Sequence, residues 1–290
     1  MKKYKGIVLI TGVGLRKATK IFKKDDPANL IDYKQDKYKA NAACGTAIEL
    51  SKAGYVVYMT GGNKEYLQLI QDRLLENVSY FTTDDLKNKD NVSKLVENVE
   101  ILKNEHKCNV DLVYYGGVSG KDQFNSDSVL YSPFDVPSES ISSFFEENIA
   151  PWYNLIQGFE KVFESQNKTK MILISAISAL RTKTNHSLDA AQKSAIHAMA
   201  RSFALDLTKK NIFVTEVMPG MTDTGFYDSE FAYETLKSCS KDLGYEYNDD
   251  TFPVFKSERV GETIKFILES PFHVREISFM PYGQYPHLGA

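Results

Sequence analysis

Residues 171–193 read Met171-Ile-Leu-Ile-Ser-Ala-Ile-Ser-Ala-Leu-Arg-Thr-Lys-Thr-Asn-His-Ser-Leu-Asp-Ala-Ala-Gln-Lys193, and this stretch decides the fold. It opens on an apolar run, Met171–Ser175, of the length and composition expected of a strand buried on both faces. A polar loop follows. Lys193 then falls within Ala190–Thr208, whose amphipathic spacing predicts a helix. A second apolar run, Ile212–Val217, comes next and is closed by Pro219-Gly220. Strand, helix and strand in succession form the unit of a parallel sheet with right-handed crossovers.

The same alternation runs outward in both directions. Gly6–Thr11, Tyr55–Thr60, Val78–Thr83, Val110–Tyr115 and Ile277–Met280 read as further strands. Asn91–Lys103, Ser140–Ser165 and Ser257–Glu269 read as helices, and Lys52-Ala53-Gly54 reads as a helix stop. The expected architecture is α/β, a doubly wound parallel sheet of about seven strands with helices on both faces. Ligands of such sheets sit beyond the carboxyl ends of the strands, where the strand order switches. No repeat and no Pro/Gly/Ser-rich linker divides the sequence, so residues 1–290 are expected to form a single domain.

Composition narrows the function classes. Of 290 residues 42% are hydrophobic, and 35 basic against 38 acidic side chains leave a formal charge of -3. That much apolar surface excludes a disordered chain, and the charge balance argues against a nucleic-acid binder. No apolar run approaches the roughly 18 residues of a membrane span. The basic start, Met1-Lys2-Lys3-Tyr4-Lys5-Gly6, precedes an apolar run too short for a signal peptide. Cys44, Cys108 and Cys239 are scattered, without disulfide or metal-like spacing. The expectation is a cytoplasmic protein with a small-molecule substrate and no metal, nucleic acid or membrane partner.

The strand ends carry the chemistry. Thr11-Gly12-Val13-Gly14 follows the first strand, where glycines let backbone N–H groups approach a phosphate at a helix N-terminus. Pro219-Gly220-Met221-Thr222 follows another strand. On these motifs, in this order, the sequence resembles the short-chain dehydrogenase/reductase family over essentially its whole length, which implies a Rossmann-like fold. Ile172–Leu180 looks like the family's serine-bearing strand, and Asp189–Ala195 looks like its Tyr-x-x-x-Lys segment. Asn148 matches the helix asparagine of the family's proton relay. Asp85, with Leu86 beside it, matches the adenine-contacting segment. Tyr114-Tyr115-Gly116-Gly117 stands in for Asn-Asn-Ala-Gly, and Val274–Gln284 resembles the last strand. The resemblance also implies a homodimer or homotetramer built on the helices bearing Asn148 and Lys193, with Phe144, Phe145, Trp152, Ile196, Met199 and Phe203 available as interface or as core.

The departures fall at the reacting groups. With Lys193 fixing the register, the family serine becomes Ala176 and the family tyrosine becomes Asp189. Asp189 and Lys193 stand four apart on one helix face and can pair. That pairing keeps the carboxylate ionised and makes it a base rather than an acid. Asp189 reads equally as a carboxylate capping the helix start. His186, Tyr114 and Tyr115 are the other candidates to replace the tyrosine; His186 also reads as an exposed loop residue, and the tyrosines as sheet packing. Ser175 and Ser178 can reach a substrate oxygen if the register slips, while His197 reads as packing or surface.

At the cofactor end only Gly12 and Gly14 remain of the glycine pattern, and Asn41 lies two before Ala43, where the final motif glycine falls. Arg16–Ala40 is an insertion of about two dozen residues, beyond the usual loop, with eight Lys/Arg and four Asp. It reads as a lid, a source of phosphate ligands such as Arg16 and Lys17, or a solvated arm; Lys64 is a further phosphate candidate. Thr60-Gly61-Gly62-Asn63 lacks the acid that holds an NAD ribose. NADP is therefore favoured over NAD, with no bound nucleotide as the alternative. Residues 221–255 are expected to form a substrate lid.

Three functions follow from this pattern. The first is an NAD(P)H-dependent oxidoreductase acting on a carbonyl, alcohol or activated double bond, with Lys193, Asn148, Asp189 and Ser175 as catalytic candidates. Its cofactor would be held by Gly12, Gly14, Arg16, Asn41, Asp85, Leu86, Gly116, Gly117, Lys193, Pro219, Gly220 and Thr222. The second is a catalytically silenced nucleotide-binding or protein-interaction member of the same fold. The third is a lyase or isomerase with Asp189 as base.

Overall fold

The computed structural model describes residues 3–23, 26–116, 132, 134, 136, 138–182, 185–241, 244 and 246–284. Seven parallel strands form the main sheet. In chain order these are β1 (Ile7–Ile10), β5 (Val56–Thr60), β6 (Ser79–Thr82), β7 (Val110–Tyr115), β8 (Thr169–Ile174), β9 (Ile212–Pro219) and β12 (Glu276–Phe279). Their spatial order is β12-β9-β8-β7-β1-β5-β6, so the chain switches direction at β1, with β5 on one side and β7 on the other. All seven strands fall where the apolar runs predict them.

Both faces of the sheet are covered at its centre, which is why inner strands such as β1 and β5 are buried throughout rather than alternating, whereas the edge strand β12 alternates. Val8 and Ile10 point into a core shared with α1 (Ala42–Lys52), α2 (Lys64–Arg73) and α7 (Glu258–Glu269). Ile7 and Leu9 point into the opposite core, with α3 (Lys89–His106), α4 (Glu139–Glu164) and α5 (Ser187–Leu207). Phe144, Trp152 and Ile196 are buried within this chain. Among the described residues no helix is long and apolar enough to cross a membrane.

The insertion after β1 is folded rather than a solvated arm. β2 (Leu15–Lys17), β3 (Leu30–Tyr33) and β4 (Asp36–Ala40) form an antiparallel sheet in the order β2-β4-β3. Its basic residues hid its apolar anchors, of which Tyr38 and Ala40 join the core of the main sheet. Phe22 is fully buried with Met221, Tyr233, Leu236, Tyr247, Phe252 and Val254, all from the segment after β9. That segment contains β10 (Thr222–Asp223), α6 (Glu230–Lys241) and β11 (Phe255–Lys256), and Asp26 bridges to Phe255. Lys39 is 1% exposed, and its ammonium donates to Asp223 at 2.6 Å and Asp228 at 2.8 Å. The insertion and the 221–255 segment thus pack as one unit above the sheet.

Candidate active site

A cavity of about 290 Å³ lies at the carboxyl ends of β1, β7, β8 and β9. Gly12 forms its floor at φ 69°, where a Cβ would meet Tyr115 at 3.2 Å; both the left-handed backbone and the close approach call for glycine. Thr11 ties β1 to β7: its hydroxyl donates to the Tyr115 carbonyl and accepts from the Tyr115 N–H, at 2.9 and 2.8 Å. Gly14 and Asn41 close the base of the insertion, since Asn41 N–H donates to the Gly14 carbonyl at 3.1 Å. Asn41 also caps α1, its side-chain oxygen accepting from Cys44 N–H at 2.9 Å while its amide donates to the Gly12 carbonyl. Ala42 and Ala43 therefore present first-turn N–H groups to the cavity, donors that no intrahelical carbonyl can reach. Arg16 lines the same end. This is an anion-binding arrangement.

Helix α5 supplies the opposite wall. Asp189, Lys193 and His197 recur every fourth residue, hence on one face. Asp189 lies in the first turn but pairs with neither Lys193 nor the helix start. It accepts from the Ser178 hydroxyl at 3.4 Å and stands 3.2 Å from His186 Nε2. The N-cap is His186, without a side-chain capping bond, so the capping role read for Asp189 is not the one its geometry serves. Lys193 is half-buried, lines the cavity and forms no side-chain hydrogen bond or ion pair among the described residues. Of the four candidates to replace the family tyrosine, His186 and Asp189 come together. Tyr114 instead donates its hydroxyl to the Asn148 carbonyl at 2.9 Å, and Tyr115 shares a hydrogen bond with Thr46 at 2.5 Å. Burial pushes both phenols above their ordinary range.

Ser175 and Ala176 both line the cavity, but the Ser175 hydroxyl is donated to Glu216. Glu216 is 2% exposed, and its other oxygen lies 2.6 Å from His197 Nδ1. His197 is thus neither simple packing nor surface; with Glu276 these side chains bring ligand-type atoms within 4.8 Å of one another. Sequence reasoning passed over Glu216, although an acid inside a doubly buried strand is a signal in itself. Two more residues were missed. Gln192 is 1% exposed with an unpartnered Nε2, opposite the unpartnered Oδ1 of fully buried Asn148. A Cβ on Gly116 would stand 3.2 and 3.3 Å from those two atoms. Arg181 is the other missed cavity residue.

The remaining candidates divide. Pro219, Gly220 and Thr222 line the cavity, Gly220 closely enough that a Cβ would collide with Gln284 Oε1. Gly14 and Asn148 sit just behind the lining. Lys17 pairs with Asp36 at 2.8 Å, and Lys64 lies away from the cavity, at the start of α2. Gly61 packs against the Val13 carbonyl. Asp85 is exposed, accepting from Lys87 N–H, while Leu86 packs into the core beneath α3 and α4; neither lines the cavity. Gly117 lies outside the described residues.

A family model described as short chain dehydrogenase matches residues 41–234. The chain is 23% identical over 246 residues to an uncharacterized oxidoreductase of Staphylococcus aureus strain MW2, covering 83% of this chain and 94% of that one. Among solved structures it is similar to an alcohol dehydrogenase from the archaeon Thermococcus sibiricus, complexed with 5-hydroxy-NADP. That likeness has a TM-score of 0.68 and 14% identity, covering 97% of this chain and 99% of the other. It is also similar to L-sorbose reductase from Gluconobacter frateurii, complexed with NADPH and L-sorbose, with a TM-score of 0.67, 14% identity and 97% of each chain covered.

Proposed function

Because the chain belongs to the short-chain dehydrogenase family, we propose that it is an NAD(P)H-dependent oxidoreductase in which the His186–Asp189 pair takes the place of the family's tyrosine. Its substrate is a small carbonyl compound, alcohol or activated double bond. One observation carries this reading: the open N-terminus of α1, Lys193 and the His186–Asp189 pair all face a single cavity.

The residues present fit a nicotinamide dinucleotide. Ala42 and Ala43 N–H, with Arg16, would hold the pyrophosphate, Gly12 would permit its close approach, and Lys193, Gly220 and Thr222 line the neighbouring wall. The absence of an acid at Gly61-Gly62 supports NADP over NAD. When bound, the nicotinamide supplies or accepts the hydride. Everything else falls to the protein. Reduction of a carbonyl leaves negative charge on oxygen, which the Lys193 ammonium stabilises electrostatically. His186, in its protonated form, gives that oxygen a proton and takes it back in the reverse direction, while Asp189 holds the ring in place. Ser178 completes the orientation of Asp189 through its 3.4 Å hydrogen bond. Asn148 ties α4 to β7, its carbonyl taken by Tyr114. In keeping with the family resemblance we propose a homo-oligomer.

Fluorescence titration with NADPH and NADH tests the cofactor reading, and NADPH oxidation across a carbonyl panel tests the chemistry. Binding without turnover, for any acceptor in either direction, would favour a silenced nucleotide-binding role.

A further inference from the structure

Arg181 leaves the single 3-10 turn Ile177–Ala179 that follows β8, with its backbone N–H donated to the Ile177 carbonyl at 3.0 Å. Its side chain is half-buried on the cavity wall. No carboxylate, carbonyl or aromatic ring partners its guanidinium among the described residues. The contrast with Arg259 is instructive, since that side chain is bound by Asp26 and Glu262 through four hydrogen bonds. None of its nitrogens is a buried unpartnered atom, so the guanidinium stands open to solvent on the cavity wall, where an anionic group of a ligand can reach it.

The cavity as a whole has the same bias. Its lining contains Arg16, Arg181 and Lys193 against one acid, Asp189, which already faces His186 and Ser178. A partly enclosed cleft of one sign concentrates the opposite sign. Arg16 stands with the α1 N-terminus, and Lys193 stands on α5 one turn past Asp189. Arg181 is left over, on the segment between β8 and α5 that also carries Ser178 and His186. The facing lid residues Met221, Phe226 and Tyr227 are apolar or aromatic.

We propose that the substrate is a carboxylic acid with an apolar body. Its carboxylate is held by Arg181, whose planar fork matches carboxylate geometry, and its reducible carbonyl is turned towards His186. Met221, Phe226 and Tyr227 cover the apolar part. This inference rests on the oxidoreductase reading and names its substrate class.

The test pairs aromatic and branched oxo acids with their methyl esters, at saturating NADPH, in the wild type, Arg181→Gln and Arg181→Lys. NADPH affinity is first titrated in each protein. The expected result is a kcat/KM at least about tenfold higher for acids than for esters, from one charge-assisted hydrogen-bonded contact. Arg181→Gln should collapse that acid-to-ester ratio at least about tenfold, chiefly through KM for the acid, with Arg181→Lys between the two. NADPH affinity should stay within about twofold. Equal use of acids and esters by the wild type, or a ratio unchanged in Arg181→Gln, would overturn the inference while leaving the oxidoreductase reading standing. Preference for phosphate esters over carboxylates, tested in the same panel, would also overturn it. Failure of NADPH to bind the wild type would overturn the oxidoreductase reading and this inference with it.

Discussion

His186 Nε2 and the Asp189 carboxylate stand 3.2 Å apart at the start of α5, inside the cavity that also receives Lys193. A carboxylate at that distance fixes the plane and tautomer of the ring. Replacing it by an amide keeps the shape and removes the charge. Asp189→Asn is expected to lower kcat by about 100-fold or more, the lower range for a positioned proton-transfer group, with NADPH affinity unchanged. Stopped-flow measurement of NADPH oxidation at neutral pH checks this; an undiminished rate would place proton transfer on another group.

Lys39 is buried between Asp223 and Asp228 and binds the insertion electrostatically to the segment after β9. Asp228 also accepts from the backbone N–H groups of Thr19 and Lys20 at 2.9 and 3.1 Å. Lys39→Met preserves length but strands two buried carboxylates. A loss of about 3–5 kcal/mol is expected, as for removal of one partner from a buried ion pair. Urea denaturation gives the stability change, and limited proteolysis within residues 16–40 should accelerate. Unchanged proteolysis would mean that the Phe22 cluster alone holds the two segments together.

Helices α1 and α7 cross at Gly45 and Gly261. A Cβ on Gly45 would overlap the Ser257 backbone, and one on Gly261 would come within 2.7 Å of the Gly45 carbonyl. Gly45→Ala must force the helices apart, at a cost of about 1–3 kcal/mol or more, read as a fall in Tm. Because this contact lies beneath the end of α1 that lines the cavity, NADPH affinity should fall too.

Asp111, on β7, has its carboxyl pushed up to about 6 from the ordinary 3.8, by burial against the partial compensation of the Lys170 backbone N–H and ammonium. The folded protein therefore holds this proton more tightly than the unfolded chain. Its contribution to stability is complete below about pH 4 and is lost as the pH rises through 6. Asp111→Asn, which keeps an acceptor for Lys170 N–H, should gain stability relative to wild type across that window, by up to about 3 kcal/mol for a shift of roughly two units. Denaturation curves on both sides of the window provide the check, and a pH-independent difference would rule the effect out.

The main sheet was legible because burial on both faces makes its inner strands, such as β1, β5 and β8, uninterrupted buried runs, while the edge strands β6 and β12 are less buried. Lys193, Gly12 and the Pro219-Gly220 turn were legible because they sit at fixed offsets from those strands. The pairing of Asp189 was not. Helical spacing points to Lys193 as its partner, and only the loop geometry that caps α5 with His186 brings the imidazole nearer. The insertion misled for a related reason: its composition is that of a solvated arm, yet Phe22, Tyr38 and Lys39 are buried and anchor it. Glu216 was hidden by attention to strand ends, since its meaning lies in what two neighbouring elements, through Ser175 and His197, offer a buried acid.

The central claim is that Lys193 and the His186–Asp189 pair serve hydride transfer at one cofactor-binding cavity. The most direct measurement is single-turnover NADPH oxidation with a carbonyl acceptor, in the wild type and Lys193→Ala, alongside NADPH titration of both. The account predicts NADPH binding by the wild type and a transfer rate that falls by about 100-fold or more in Lys193→Ala, the loss expected when one stabilising charge leaves a developing oxyanion. Transfer at the wild-type rate in Lys193→Ala, or no binding of NADPH or NADH to the wild type, would contradict it.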